Sequence, residues 1–176
     1  MKELPLSLRF RPLRELYKTG SARIRRPADG MYKGLKPGDR LWLREAYHLE
    51  KQFNPFSPSA AAVRGAVPHF ASDLSAQPEE LGLGGSRAAY TLLREWSRSH
   101  LIVEAVEQQP LLDIKESEAR ADGFSGRNTW LDEWDDLIGA VTGRNQNRKA
   151  AANPTVLVID AQLVDQPLDA RPKELA

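Results

Sequence analysis

The chain has 176 residues, 41% of them hydrophobic and 28% charged, with no cysteine and a formal net charge of +1. That length suits one domain with its own core. The lack of cysteine excludes disulfides, thiolate metal sites and a cysteine nucleophile, and no apolar run approaches the ~20 residues of a membrane-spanning helix. The charge is segregated: residues 1–51 hold 13 Lys+Arg against 6 Asp+Glu, a net of +7, and residues 52–176 hold 12 against 18, a net of −6. Such asymmetry fits a basic face that meets an anion, most often nucleic acid. It equally fits two halves that interleave in space and neutralise each other. His48, His69 and His100 show no metal-ligand spacing, so no metal or other cofactor is implied. MKELPLSLRF lacks the apolar core of a secretory signal, and the expected compartment is the cytoplasm.

In chain order, Leu6, Leu8 and Phe10 mark a first strand behind Pro5. RPLRELYKTG follows as a short helix with Leu13, Leu16 and Tyr17 on one face and Gly20 as its stop. SARIRRP alternates as a strand, Arg23 and Arg25 on one side and Ile24 and Arg26 on the other. Three arginines there are either a solvated edge or a phosphate site. Pro37-Gly38 with Asp39 is a turn, and the strand after it points Leu41, Leu43 and Glu45 one way and Trp42, Arg44 and Ala46 the other. Arg44-Glu45 is either a surface ion pair or part of a site.

Residues 51–86 form a loop-rich insertion whose first part, 51–66, holds two prolines and an alanine run. VPHFASD within it has the character of a strand. Leu101–Val106 is a β-branched strand. A helix is expected over 115–122, with Asp113 and Glu116 as a capping box and Gly123 as its stop. A second helix, over 129–141, carries Trp130, Trp134, Leu137, Ile138 and Val141 on one face and caps with Thr129 and Asp132. Asp132, Glu133, Asp135 and Asp136 form its solvated face. A polar loop with Arg144, Arg148 and Lys149 leads to a buried strand over 155–163, and residues 165–176 are expected to be a disordered tail.

PGDRLWLREAY resembles the signature of the phage-type ASCH domains, a branch of the PUA-like superfamily, which read PGDRLWVRE and then an aromatic. Further segments resemble that family in the same order. TGSARIRR stands where the family has GRKTQTRR, and Phe70-Ala71-Ser72-Asp73 stands near its YRAD segment. Trp96-Ser97-Arg98 is similar to the family's WASR, Leu111–Phe124 to its LQDISEEDAIAEGF, and Asn153-Pro154 with Val158-Ile159-Asp160 to its NPWVWVIEF. The resemblance implies one α+β domain over 1–164 with a PUA-like fold, a mixed, mostly antiparallel β-barrel flanked by helices.

The resemblance also implies a nucleic-acid- or nucleotide-binding module that recognises RNA or a modified base in a pocket beside Glu45. Arg23, Arg25 and Arg26 would hold phosphates, with Arg44 at the pocket floor. Trp42 or Trp96 would stack on a base, worth ~1–3 kcal/mol, with Trp96 and Arg98 at the barrel mouth. Glu45 would accept from an exocyclic amine, as acidic side chains do with cytosine. The partners implied are RNA or another single strand, or a nucleoside, with no membrane; oligomeric state is not set. The alternative is a metal-independent hydrolase with Glu45 as its catalytic residue, an amidohydrolase on acetylated cytidine or a ribonuclease. The family's lysine and threonine fall on Ser21 and Ala22, which cannot do that chemistry. A carboxylate beside Leu41 and Leu43 requires a donor or cation; the resemblance implies an arginine from 23–26 as that partner, with the Glu45 carboxylate facing a cavity.

Overall fold

Turn chemistry and alternation set most of the strands, and helical spacing most of the helices. The structure is a computed structural model that describes residues 1–139 and 145–168. Its elements are β1 (Glu3–Ser7), α1 (Phe10–Thr19), β2 (Ser21–Pro27), β3 (Arg40–Arg44), β4 (Tyr47–His48), α2 (Pro58–Val63), β5 (His69–Phe70), β6 (His100–Pro110), α3 (Glu116–Ala121), α4 (Arg127–Gly139) and β7 (Thr155–Val164). The chain is α+β. Five strands pair in the order β1-β3-β6-β7-β2, and β4 pairs with β5. The five-stranded sheet is mixed, since β1 and β3 are parallel while β2 and β7 are antiparallel. No closed barrel is found among the described residues. No helix among them is long and apolar enough to cross a membrane.

Two compact units make up the chain. One comprises Met1–Lys2, Arg11–Asp39 and Ile102–Leu163. In it α1 buries Leu13 and Leu16. Gly20 ends the helix at a φ of +74°, which glycine adopts without strain, and donates its N–H to the Leu16 carbonyl at 2.8 Å. The core of this unit joins Trp130, Trp134 and Ile138 of α4 to Leu111, Ile114, Ala119, Phe124, Val156 and Val158. The two indoles stack at 5.8 Å. Leu137 departs from the expected face and is 37% exposed. The buried line steps by four residues through 130, 134 and 138, and position 137 falls at its margin. Val141 and Arg144 lie outside the described residues.

Both expected caps move. Asp113 belongs to a 3-10 turn, Leu111–Asp113, and α3 begins at Glu116. Glu118 takes the capping role instead, accepting the Lys115 N–H at 2.7 Å. In α4 the start is Arg127, and Thr129 Oγ1 accepts the Gly126 N–H at 3.2 Å. Asp39, fully buried, closes its turn by accepting the Lys36 N–H at 3.0 Å and the Lys2 N–H at 2.6 Å. The Lys2 N–H is the main cause that holds its carboxyl below the usual range.

The other unit comprises Glu3–Phe10, Arg40–Leu101 and the described residues from Val164 on. β1 lies in register with β3, Leu4 opposite Leu41 and Leu6 opposite Leu43. The expected strand over 39–47 is interrupted: β3 stops at Arg44, and Tyr47 and His48 pair with Phe70 and His69. The chain changes partners at Glu45-Ala46. Tyr47, Leu49, Phe53, Ala61, Ala66 and Leu92 form a core with Phe56, Phe70 and Trp96 packed on it, so the 51–86 insertion contributes to a core of its own. Arg87 fastens that insertion by donating to the Phe53 carbonyl at 2.9 Å and the Phe56 carbonyl at 3.0 Å. Of the expected tail, Asp165–Leu168 are described and Leu168 is buried; residues 169–176 lie outside the described residues.

Candidate functional site

Glu45 ends the leucine face of β3, as the alternation requires, and its side chain is only 2% exposed. Two stretches distant in sequence hold its carboxylate. From 97–99 comes Arg98, which donates Nε to Oε1 at 2.9 Å and Nη2 to Oε2 at 2.7 Å, a bidentate fork. From the segment after β5 comes Ser72, whose hydroxyl donates to Glu45 Oε2 at 3.2 Å and lies 3.0 Å from Arg98 Nη2. Asp73 takes the outer edge of the same guanidinium, bonding Nη1 and accepting from Nη2 at 3.2 Å. The guanidinium also sits over the Phe70 ring, 4.3 Å from its centroid.

Local structure explains the convergence. Pairing of β4 with β5, extended by the Ala71 N–H on the Ala46 carbonyl at 2.9 Å, lays 70–73 beside 45–48. The buried Ser97 hydroxyl lies 2.8 Å from the Leu43 carbonyl, and the Leu43 N–H donates to Ser99 at 3.1 Å, which aims Arg98 at the end of β3.

The partner expected for Glu45 was an arginine from 23–26; the structure supplies Arg98 instead. Arg23 and Arg25 point to the same side of β2 and meet carboxylates of the first unit. Arg23 donates to Asp160 at 2.7 and 2.9 Å and to Glu107, and its Nε stands 2.9 Å from Glu118. Burial opposes the Arg23 charge, but the Asp160 and Glu107 carboxylates outweigh it and raise its pKa. The Arg25 side chain is 0% exposed, with Nη2 2.9 Å from Glu118 Oε2. It lies over Trp130 at 5.7 Å. Arg26 donates to the Arg25 carbonyl at 2.8 Å and lies over Tyr32. Burial works against the Glu118 charge as well, yet the Lys115 N–H, Arg25 and Arg23 hold its carboxyl below the usual range.

Among the other expected site residues, Trp42 is buried, with the Arg44 guanidinium 4.8 Å from its ring centroid. Arg44 also donates to the Tyr90 carbonyl at 2.9 Å. Trp96 is half-buried and packs edge-on to Tyr47 at 5.7 Å, against the core of its unit. Ser21 and Ala22 open β2, and Lys18, two residues before Gly20, pairs with Glu15 at 2.7 Å. No group of residues arranged to hold a metal ion is found among the described residues.

Phe70, Ser72 and Asp73 are the site residues that sequence reasoning missed. The signal was present, because the loose likeness of 70–73 to YRAD marked the segment without giving it a role.

The depressed carboxyls predict a sign for acid stability. Glu118 and Asp39 titrate lower folded than unfolded, so they stabilise the fold fully above the ordinary carboxylate range and lose that contribution as pH falls through it. Asp122, raised by burial, acts in the opposite sense. Glu116, held low chiefly by the Arg127 N–H, acts as Glu118 and Asp39 do, and three groups against one predict a lower urea midpoint at about pH 3 than at pH 6. A midpoint that stays level would show that these contacts do not survive in solution.

Comparison of the chain with protein-family models, with curated proteins and with solved structures finds no match.

Proposed function

We propose that the chain is a nucleic-acid- or nucleotide-binding module of the ASCH type, with a PUA-like barrel, that recognises RNA or a modified base beside Glu45. The observation that supports this is the meeting of Glu45, Phe70, Ser72, Asp73 and Arg98, all from stretches that resemble the family's segments. Arg98 is 28% exposed and Asp73 55% exposed, so polar groups of this corner reach solvent while Glu45 anchors it from beneath. A hydroxyl, a carboxylate and a guanidinium edge together suit the hydrogen-bonding edge of a base.

The test is titration of a short single-stranded RNA and of cytidine into the wild type and Glu45→Gln. Glu45→Gln is expected to keep the fold and weaken binding at least about tenfold, since a buried charge-assisted fork is lost. Equal affinity of both proteins for both ligands would end the proposal. Three arginines neutralising phosphates would give a log–log salt slope of roughly −2 on a single strand. With Arg23 and Arg25 already paired to carboxylates, the expected slope is shallower.

A second reading rests on one contact, the Ser72 hydroxyl 3.2 Å from Glu45 Oε2. A hydroxyl beside a carboxylate is the minimal pair for hydrolysis. In that case Glu45→Gln and Ser72→Ala each abolish turnover of acetylated cytidine or RNA. The residues at the family's lysine and threonine positions, Ser21 and Ala22, place this reading second.

A further inference from the structure

Arg98 meets two carboxylates, and they are not equivalent. Glu45 takes the Nε–Nη2 side from beneath with a side chain 2% exposed. Asp73 takes the Nη1–Nη2 edge from outside with a side chain 55% exposed. The inner pair is shielded from water and salt, whereas the outer pair is solvated and weak. Two carboxylates on one guanidinium also repel each other, so the corner of Glu45, Asp73 and Arg98 carries an excess negative charge. The Phe70 ring, 4.3 Å from Arg98 Cζ, and the Glu45 fork both hold the guanidinium whether or not Asp73 is bound. The outer fork is therefore a preorganised site for a planar or tetrahedral oxyanion.

We infer that Asp73 occupies this fork as a tethered stand-in for the phosphate of a ligand, and that the ligand binds by displacing it. The inference rests on the corner being the binding site. A tethered anion competes at a high effective concentration, so wild-type affinity for phosphate is low and rises when Asp73 is neutralised. Asp73 leads out of a 3-10 turn, Ala71–Asp73, into an extended residue, Leu74. It can leave Arg98 without breaking the β4–β5 pairing that precedes that turn.

The experiment titrates inorganic phosphate, cytidine 5′-monophosphate and cytidine into the wild type, Asp73→Asn, Asp73→Ser and Asp73→Asn/Arg98→Gln. Backbone amide shifts of residues 69–74 and 97–99 report both binding and fold. Asp73→Asn and Asp73→Ser are each expected to bind phosphate at least fivefold tighter than the wild type, with the gain lost in the double variant. A gain equal for phosphate and the monophosphate assigns the fork to a free oxyanion; a larger gain for the monophosphate assigns it to a nucleotide. Phosphate affinity unchanged in both single variants, or a gain that persists without Arg98, overturns the inference. The proposed function is tested separately by cytidine and RNA on the wild type. A phosphate gain without cytidine or RNA binding removes that function and leaves the fork. Cytidine or RNA binding without a phosphate gain does the reverse.

Discussion

Arg98→Ala is expected to destabilise the chain by about 3 kcal/mol, because it takes the bidentate partner from a buried carboxylate. Glu45 lies in line with Leu41 and Leu43, both essentially inaccessible to water, so its charge has little solvent to fall back on. The estimate sits at the low end of the range for broken buried pairs, since Arg98 itself is 28% exposed. For a chain of this length the melting temperature would drop by roughly 6–12 °C. The double variant Glu45→Leu/Arg98→Leu removes both charges, and its stability should return to within ~1 kcal/mol of wild type. Urea unfolding of Glu45→Leu, Arg98→Leu and the double gives the coupling. A coupling below ~0.5 kcal/mol would reduce the pair to an ordinary surface contact.

Arg25→Ala should also cost about 3 kcal/mol, but by a different route. The Arg25 side chain is fully buried over Trp130, and its Nε and Nη1 have no hydrogen-bond acceptor among the described residues. Its Nη2 pairs with Glu118 Oε2 at 2.9 Å. Glu118 keeps the Lys115 N–H and Arg23 when Arg25 is replaced. The loss in Arg25→Ala is then mostly a cavity against α4. Arg25→Met, which refills that volume and removes the costly donors, should stay within ~1 kcal/mol of wild type. If Met costs as much as Ala in urea melts, charge rather than packing holds this position, and the account of Arg25 fails.

The charge asymmetry of the sequence left two meanings open, and Arg23 and Arg25 decide between them for the first unit. Their partners, Glu107, Glu118 and Asp160, all come from the acidic part of the chain. Composition counts charges without pairing them, so a basic stretch and a neutralised one look alike until long-range contacts are known. The caps were misplaced for a related reason. Asp113 and Glu116 satisfy the capping-box spacing, but so do Lys115 and Glu118, and only the backbone path through the Leu111–Asp113 turn selects the second pair.

Local pattern by itself determined the α+β character, β2, β6 and β7 to within a few residues, the cores of α3 and α4, and the burial of Glu45 on the leucine face. Those features follow from periods of two and 3.6 residues and from turn glycines, which act over a few neighbours. Tertiary structure alone decided what meets Glu45. Arg98 lies 53 residues away along the chain and Ser72 lies 27 away, and no local periodicity relates such positions. Their meeting depends on β4 leaving the β3 line to pair with β5, a choice made by strand pairing across the 51–86 insertion. A hydrogen-bonded ladder and the core beneath it set that choice, through contacts whose energy depends on distance in space and not on separation along the chain.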